Sequence, residues 1–301
     1  MRNDKEEPDE VVIMGGERPL SDSNLQQTRP GIPVGTPAQH IYTHTAHVLK
    51  SPQTVVAAYS KINFPDQLLR RVVGFLGNFG SGKTEVAVNF AMQLGLASQD
   101  PDNQYSGPVK IVDLDIVNMY FRSREAVIPL EYAGVDVINP SGDQFWADLP
   151  IILPEVRGAI MQQSGSLILD VGGDDLGAKV LSHIVADIQR TDHALLMVVN
   201  AKRPFTSDLD GARKVFKELE FSSGLKITGL VSNTHLMQHT DEEIIREGYE
   251  FAKRMSAAAG VPLLMVAMES RYIEKFSETD LDVPILPLYR FMLPPWGETK
   301  E

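Results

Sequence analysis

Eight consecutive residues constrain this chain more than any other stretch: Gly77-Asn78-Phe79-Gly80-Ser81-Gly82-Lys83-Thr84. They fit the pattern G-x-x-x-x-G-K-[ST], in which each fixed position has a physical task. Glycines let the backbone turn tightly, so that successive amide N–H groups converge on the oxygens of one anion. Lys83 adds a compact positive charge for the outer phosphates of a nucleotide, and the Thr84 hydroxyl is a hard-oxygen ligand for Mg²⁺. The surroundings agree with the motif. Residues 71–76 read as a strand leading in, and residues 84–96 as a helix leading out, with Val86, Val88, Phe90 and Leu94 to bury. That helix would turn its positive end towards the anion. The glycines are not spaced G-x-G-x-x-G, so the dinucleotide fingerprint is excluded. The competing reading is a glycine-rich strand-to-helix turn with no ligand.

A strand and a helix joined this way set the rhythm for the rest of the chain. Apolar, β-branched runs at 72–76, 109–113, 135–139, 167–171, 194–199, 227–232 and 263–266 alternate with helical candidates at 83–96, 174–189, 208–219 and 241–259. Runs that are apolar throughout suit strands covered on both faces. The expected fold is therefore α/β, a doubly wound, mainly parallel sheet with helices on both faces, plus an N-terminal extension. Residues 1–39, rich in Asp, Glu, Pro, Gly and Ser, are expected to form an extended or partly disordered arm. Residues 40–70 are expected to pack on the core, and residues 71–301 to form the nucleotide-binding domain. Thr240-Asp241-Glu242-Glu243 fits a capping box for the last long helix. The proline-rich tail at 284–295 is expected to wrap back over the domain.

Two of these strands end in carboxylates. Val109-Lys110-Ile111-Val112-Asp113-Leu114-Asp115 closes one, and Ser166-Leu167-Ile168-Leu169-Asp170-Val171-Gly172-Gly173 closes another with Asp-x-x-Gly. Ligands of open α/β sheets sit at the carboxyl ends of strands, so these acids can converge on the metal at Thr84. Asp170 is the expected water-mediated Mg²⁺ partner, and the Gly173 N–H is placed to approach the terminal phosphate. Asp115 would orient an attacking water or hold a metal-bound one. An Asp at a strand end can equally cap the following helix. Asp174 and Asp175 fit the capping role better than a ligand role. Arg122 and Arg124 suit a solvated helix face or a phosphate contact. Lys202 and Arg203 suit either surface charge or an anionic substrate. His40, His44 and His47 fall on one stripe if helical, which would permit a metal site, although Thr43 and Thr45 disfavour the helix.

Composition removes several classes. The chain has no cysteine, which excludes disulfides, thiolate nucleophiles, cysteine-ligated zinc and cysteine-held iron–sulfur clusters. Its formal charge of −12 disfavours sequence-independent nucleic-acid binding. No apolar run reaches the length of a membrane span, and the first ten residues do not read as a secretory signal. The expected location is the cytoplasm, without membrane attachment.

With the P-loop, Asp113-Leu114-Asp115, Asp170-Val171-Gly172-Gly173 and Val231-Ser232-Asn233 in view, residues 71–290 resemble the MinD/ParA and nitrogenase-iron-protein class of P-loop NTPases. This SIMIBI class includes the CobQ/CobB/MinD/ParA nucleotide-binding domains. The resemblance implies Mg²⁺-ATP binding, slow ATP hydrolysis and often a nucleotide-sandwich homodimer. It makes Asp115 the first-switch aspartate, Asp170 the start of the second switch, and Asn233 an adenine contact. By its residue type, Asn233 can also be a simple turn former. Lys83 and Asp115 are then the catalytic candidates; Thr84, Asp115 and Asp170 the metal ligands; and residues 77–84, Gly173 and Asn233 the nucleotide contacts. One departure stands out. Asn78 occupies the position of the lysine that crosses the dimer interface in that class, which argues against a trans-acting mechanism. The leading expectation is an ATP-driven switch or maturation factor for a protein partner, with GTP as the less favoured nucleotide. A small-molecule kinase or ATP-dependent ligase is the alternative, with the loops at 139–143 and 200–204 as acceptor sites. A non-hydrolysing sensor is the third reading.

Overall fold

The computed structural model describes residues 64–100, 103, 105, 107–114, 127–138, 153–172, 181–277 and 279–291. Eight strands form one sheet: β1 (Val72–Leu76), β2 (Val109–Asp113), β3 (Val135–Ile138), β4 (Ser166–Asp170), β5 (His193–Val199), β6 (Gly229–Ser232), β7 (Leu263–Glu269) and β8 (Ile285–Leu288). Their order is β3-β2-β4-β1-β5-β6-β7-β8, and every neighbouring pair is parallel. The helices are α1 (Lys83–Ser98), α2 (Val127–Tyr132), α3 (Leu153–Met161), α4 (Val185–Gln189), α5 (Leu209–Ser223) and α6 (Glu242–Ala259). Alternate strand residues feed opposite cores. Val73, Phe75, Ile111 and Ile168 pack with α1 and α2, whereas Val72, Leu76, Val112 and Leu169 pack with α3 to α6. The expected α/β fold, a parallel sheet covered on both faces, is what the chain adopts: the P-loop NTPase architecture.

The topology fixes where chemistry can occur. β1 lies between β4 and β5, so the loops leaving those strands diverge above the end of β1 and open a crevice there. All strands being parallel, the residues after β1, β2, β4, β5, β6, β7 and β8 share that edge of the sheet.

Helix α1 is buried on nearly every face, with 14 of its 16 residues inside. It touches β1, β2, β4, β8 and α2, and Phe64 stacks against its Phe90 with ring centroids 4.7 Å apart. Gly95 makes the α2 contact possible, because a Cβ there would lie 2.5 Å from the Ala133 carbonyl oxygen. The polar residues of α1 are used to hold the chain's far end. Asn89 Nδ2 donates to the Tyr289 carbonyl (3.0 Å) and Asn89 Oδ1 accepts from the Tyr289 N–H (2.8 Å), while Glu85 accepts from the Phe291 N–H (2.5 Å). Asn89→Ala would leave a buried N–H and C=O unpaired, at a cost of about 2–4 kcal/mol. Urea denaturation is expected to show a lower midpoint at unchanged slope.

Several local expectations are corrected. The tail is not simply a wrap: residues 285–288 form β8, whose Pro287 is tolerated because β8 is an edge strand paired to β7 alone. Asp241, not Thr240, caps α6, its Oδ1 accepting from Ile244 N at 2.9 Å. The Thr240 hydroxyl instead closes the preceding turn, accepting from Leu236 N and donating to Met237 O. The helix expected at 174–189 is interrupted by a turn at His183 and Ile184, and residues 173–180 lie outside the described residues. Helices α2 and α3 were not anticipated. Each carries a proline in its first turn, Pro129 and Pro154, where the missing N–H costs nothing. The expectations for residues 1–63 also lie outside the described residues.

Candidate functional site

The P-loop spans the gap between the end of β1 and α1. Gly80 (φ +78°) and Gly82 (φ +81°) adopt left-handed backbone, the conformations for which glycine is suited. Gly82 stands at the N-cap of α1 with no side-chain cap, whereas α5 and α6 are capped by the carboxylates of Asp208 and Asp241. The first turn of α1 therefore presents its N–H groups to the crevice.

What orients those N–H groups is a set of donors on the outside of the loop. The Gly80 carbonyl accepts from Arg203 Nε (2.9 Å) and, more distantly, from Asn200 Nδ2 (3.4 Å). The Ser81 carbonyl accepts from Asn233 Nδ2 (2.8 Å), a buried bond. The N–H opposite the Gly80 carbonyl, that of Ser81, closes the loop on the Asn78 carbonyl at 3.1 Å, and the N–H opposite the Ser81 carbonyl, that of Gly82, is left to face an anion together with the first turn of α1. The donors are themselves braced. Asn200 Nδ2 also donates to the His235 carbonyl (3.1 Å), Ala201 N donates to Thr234 Oγ1 (3.0 Å), and Thr206 Oγ1 donates to the Asn200 carbonyl (2.6 Å). The loops after β5 and β6 thus grip the P-loop along one flank.

The opposite flank is acidic. Asp170 ends β4, fully buried, in register with Phe75 of β1 on one side and Asp113 of β2 on the other. Asn78 of the loop and Lys83 and Thr84 at the start of α1 are each 7 % exposed. Both amide atoms of Asn78, and the Ser81 hydroxyl, are buried without a hydrogen-bond partner among the described residues. Burying such groups unpaired costs about 1–3 kcal/mol each, which a ligand at Asn78 would offset. The Asn78 side chain is also turned inward, and is not presented for reaching into a second copy of the chain.

The set fits Mg²⁺. A threonine hydroxyl and an aspartate carboxylate are hard oxygen donors, and no cluster of three or more His, Cys, Asp or Glu occurs among the described residues. That sparse set suits a cation that takes its other ligands from phosphate and water. Thr84 and Asp170 would hold it, and bound there it would neutralise charge on the outer phosphates.

The structure thus brings Gly77, Asn78, Gly80, Ser81, Gly82, Lys83, Thr84, Asp170 and Asn233 into one crevice. Phe79 contributes backbone alone, its side chain being 76 % exposed. Asp115 and Gly173 lie outside the described residues, as do Arg122, Arg124, Asp174, Asp175 and the loop at 139–143. Asn233 commits one amide N–H to the Ser81 carbonyl, which leaves Oδ1 and the second N–H for a ligand. Lys202 points to α6, where its ammonium meets Glu247 at 2.5 Å, so Arg203 is the cation of that pair at the cradle.

One residue, His235, escaped the sequence reading, and a second, Asn200, was expected only as part of an acceptor loop. His235 places Nε2 3.3 Å from where a Cβ on residue 82 would stand, and burial together with Arg203 and Arg290 pushes its pKa down to about 4. Asn200 follows β5 as Asn233 follows β6. This pairing of asparagines at neighbouring strand ends was the available signal.

Comparison with known proteins adds likeness of architecture only. No family model matches the chain, and no curated protein sequence matches it. Among solved structures, the signal recognition particle receptor FtsY of Elizabethkingia anophelis is 17 % identical over 85 % of this chain and 77 % of its own, with a TM-score of 0.42. The cell division protein FtsY of Thermotoga maritima is 18 % identical over 76 % of this chain and 74 % of its own (TM-score 0.45). The 54 kDa signal recognition particle protein of Aeropyrum pernix, in complex with GDP, is 16 % identical over 75 % of this chain and 53 % of its own (TM-score 0.44). At these values the likeness assigns no ligand or activity. What stands on the chain's own geometry is a P-loop cradle at the switch point of a parallel α/β sheet.

Proposed function

We propose that the protein is a Mg²⁺-ATP-binding P-loop switch that changes its affinity for a protein partner with the state of its nucleotide. The observation that carries this reading is the preformed nest: carbonyls of Gly80 and Ser81 tied outward by Arg203, Asn200 and Asn233, with an uncapped helix start behind them. Base choice follows from donor and acceptor counts. Guanine offers an N–H and an amino group on one edge, which calls for a carboxylate. The segment Asn233-Thr234-His235-Leu236-Met237-Gln238-His239-Thr240 has none, and Glu269 at the end of β7 is engaged by Arg271 at 3.0 Å. The free Oδ1 of Asn233 suits the amino group of adenine. The partner reading rests on Phe79 and Phe205, 76 % and 69 % exposed, which flank the Gly80–Arg203 contact in sequence. On this reading the MinD/ParA-like resemblance holds for the phosphate chemistry. The inward Asn78 makes any hydrolysis a property of one chain, residues 71–301 are the nucleotide-binding domain, and the protein works in the cytoplasm.

Thermal unfolding with Mg²⁺ and either ATP or GTP tests it. Ligand at about 100 times its Kd adds roughly 2.7 kcal/mol, a rise of about 5–10 °C for a domain of this size. The rise is expected with ATP and is expected to vanish in Lys83→Ala. A rise with GTP alone would overturn the base assignment, and no rise with either would overturn the function. Phosphate release without any acceptor separates the switch from a kinase or ligase.

A further inference from the structure

In the loop that follows β6, His235 is held at every polar atom but one. The Asn200 amide grips its backbone: Nδ2 donates to the His235 carbonyl (3.1 Å) and Oδ1 accepts from the His235 N–H (3.3 Å). Met237 then sets the ring, its backbone N–H donating to Nδ1 (3.4 Å). A nitrogen that accepts a hydrogen bond carries no proton, so the imidazole is the Nε2–H tautomer. Burial keeps it neutral, with its pKa pushed down to about 4. The turn that delivers the Met237 N–H is strained. Met237 has φ +55°, and among the described residues it is the only non-glycine with positive φ. Such outliers persist where the surroundings over-determine them. Here the Thr240 hydroxyl does so, accepting from Leu236 N (2.9 Å) and donating to Met237 O (2.7 Å). The remaining atom, Nε2, has no partner among the described residues. It stands 3.3 Å from where a Cβ on residue 82 would be, and Asn233 Nδ2 stands 2.3 Å from the same point. The free imidazole N–H and the Asn233 amide are therefore neighbours beside Gly82.

We infer that His235 reads the base: its Nε2–H donates to N7 of a purine whose amino group meets Oδ1 of Asn233. The inference rests on the nucleotide-binding reading and deepens it, since it restricts the ligand to purine nucleotides. On that reading the base lies against Asn233, so an N–H beside the Asn233 amide faces the base and not the phosphates. The edge that an anti purine turns towards its own phosphates carries N7, with the C6 substituent next to it. N7 only accepts and a neutral Nε2–H only donates, which makes them complementary. A pyrimidine offers no ring acceptor at that place. The ring is fixed before the ligand arrives, so forming the bond costs little ordering. The second N–H of Asn233 is the competing donor to N7, and the test separates the two.

The test is equilibrium titration, with Mg²⁺, of ADP, 7-deaza-ADP and inorganic pyrophosphate to the full-length protein, to His235→Ala and to His235→Gln. 7-Deaza-ADP has a C–H in place of N7 and would leave the Nε2–H buried and unpaired. Wild type is expected to bind it about 10-fold more weakly than ADP. His235→Ala is expected to bind ADP about 10-fold more weakly than wild type does, to bind ADP and 7-deaza-ADP alike, and to keep wild-type affinity for pyrophosphate. His235→Gln, whose amide places an N–H near the Nε2 position, is expected to recover most of the discrimination. Equal affinity of wild type for ADP and 7-deaza-ADP overturns the inference and leaves the cradle standing. So does a 7-deaza penalty that persists in His235→Ala, which assigns N7 to Asn233. An equal loss of pyrophosphate binding in His235→Ala also overturns it, making His235 a support of the P-loop. Wild-type protein that binds none of the three probes, nor Mg²⁺-ATP, overturns the nucleotide-binding reading itself.

Discussion

Gly82→Ala is expected to lose nucleotide binding by at least 100-fold and to destabilise the fold at the same time. An alanine at φ +81° costs about 1–2 kcal/mol, and its methyl group would lie 2.3 Å from Asn233 Nδ2. Moving Asn233 aside breaks the buried bond to the Ser81 carbonyl, a further loss of about 1–3 kcal/mol. The sum of roughly 2–5 kcal/mol corresponds to a fall of about 5–15 °C in the unfolding midpoint. Adding Asn233→Ala removes the group that collides, so the double variant should be more stable than the sum of the two single losses. Nucleotide binding should not return in the double variant, because the Ser81 carbonyl has then lost the donor that holds it outward and with it the orientation of the residue 82 N–H on the same peptide plane. A Gly82→Ala protein with affinity within threefold of wild type would show that the nest is not the binding element.

The second large effect is acid sensitivity at His235. Its pKa is about 4 in the fold, against 6.5 for an unperturbed histidine, so between those values the unfolded chain binds the proton and the folded chain does not. Stability from this residue is complete above pH 6.5 and is lost as pH falls towards 4. At about 1.4 kcal/mol per unit, reduced somewhat for a half-buried ring, the loss is on the order of 2–3 kcal/mol. Urea midpoints measured from pH 7 to pH 4 are expected to fall more steeply for wild type than for His235→Asn. Carboxylates elsewhere titrate in the same range, so the difference between the two curves is the readout. Parallel curves would mean that the ring protonates in the fold at no cost.

How much of this was legible in the sequence depends on how local the determinant is. The P-loop was readable because the order of glycine, lysine and threonine is itself the chemistry, and the strand before it announced its burial by being apolar throughout. Asp170 was readable because it ends such a strand. Strand β8 was not, since Pro287 reads as a break until one knows that the strand lies at an edge. The same holds for α2 and α3, where Pro129 and Pro154 hide helices that they in fact begin. The contacts of Arg203 with Gly80 and of Asn233 and His235 with Gly82 were the least legible feature. They are assembled from the loops after β5 and β6, and strand order, which decides that these loops meet the P-loop, is not written in any one segment. Asn233 shows the converse: its type announced a ligand contact, yet one of its amide N–H groups goes to the loop that would hold that ligand.

The Asn89–Tyr289 clamp also sets a clock on biosynthesis. Its partners are 200 residues apart, so α1 leaves the ribosome long before its last contact exists. At about 5–20 residues per second the wait is roughly 10–40 s. During that interval α1 can gather β1 and its neighbours but cannot be sealed. Ribosome-bound chains stalled before residue 289 should therefore be cut by protease near α1, and chains stalled well past the C-terminus should resist.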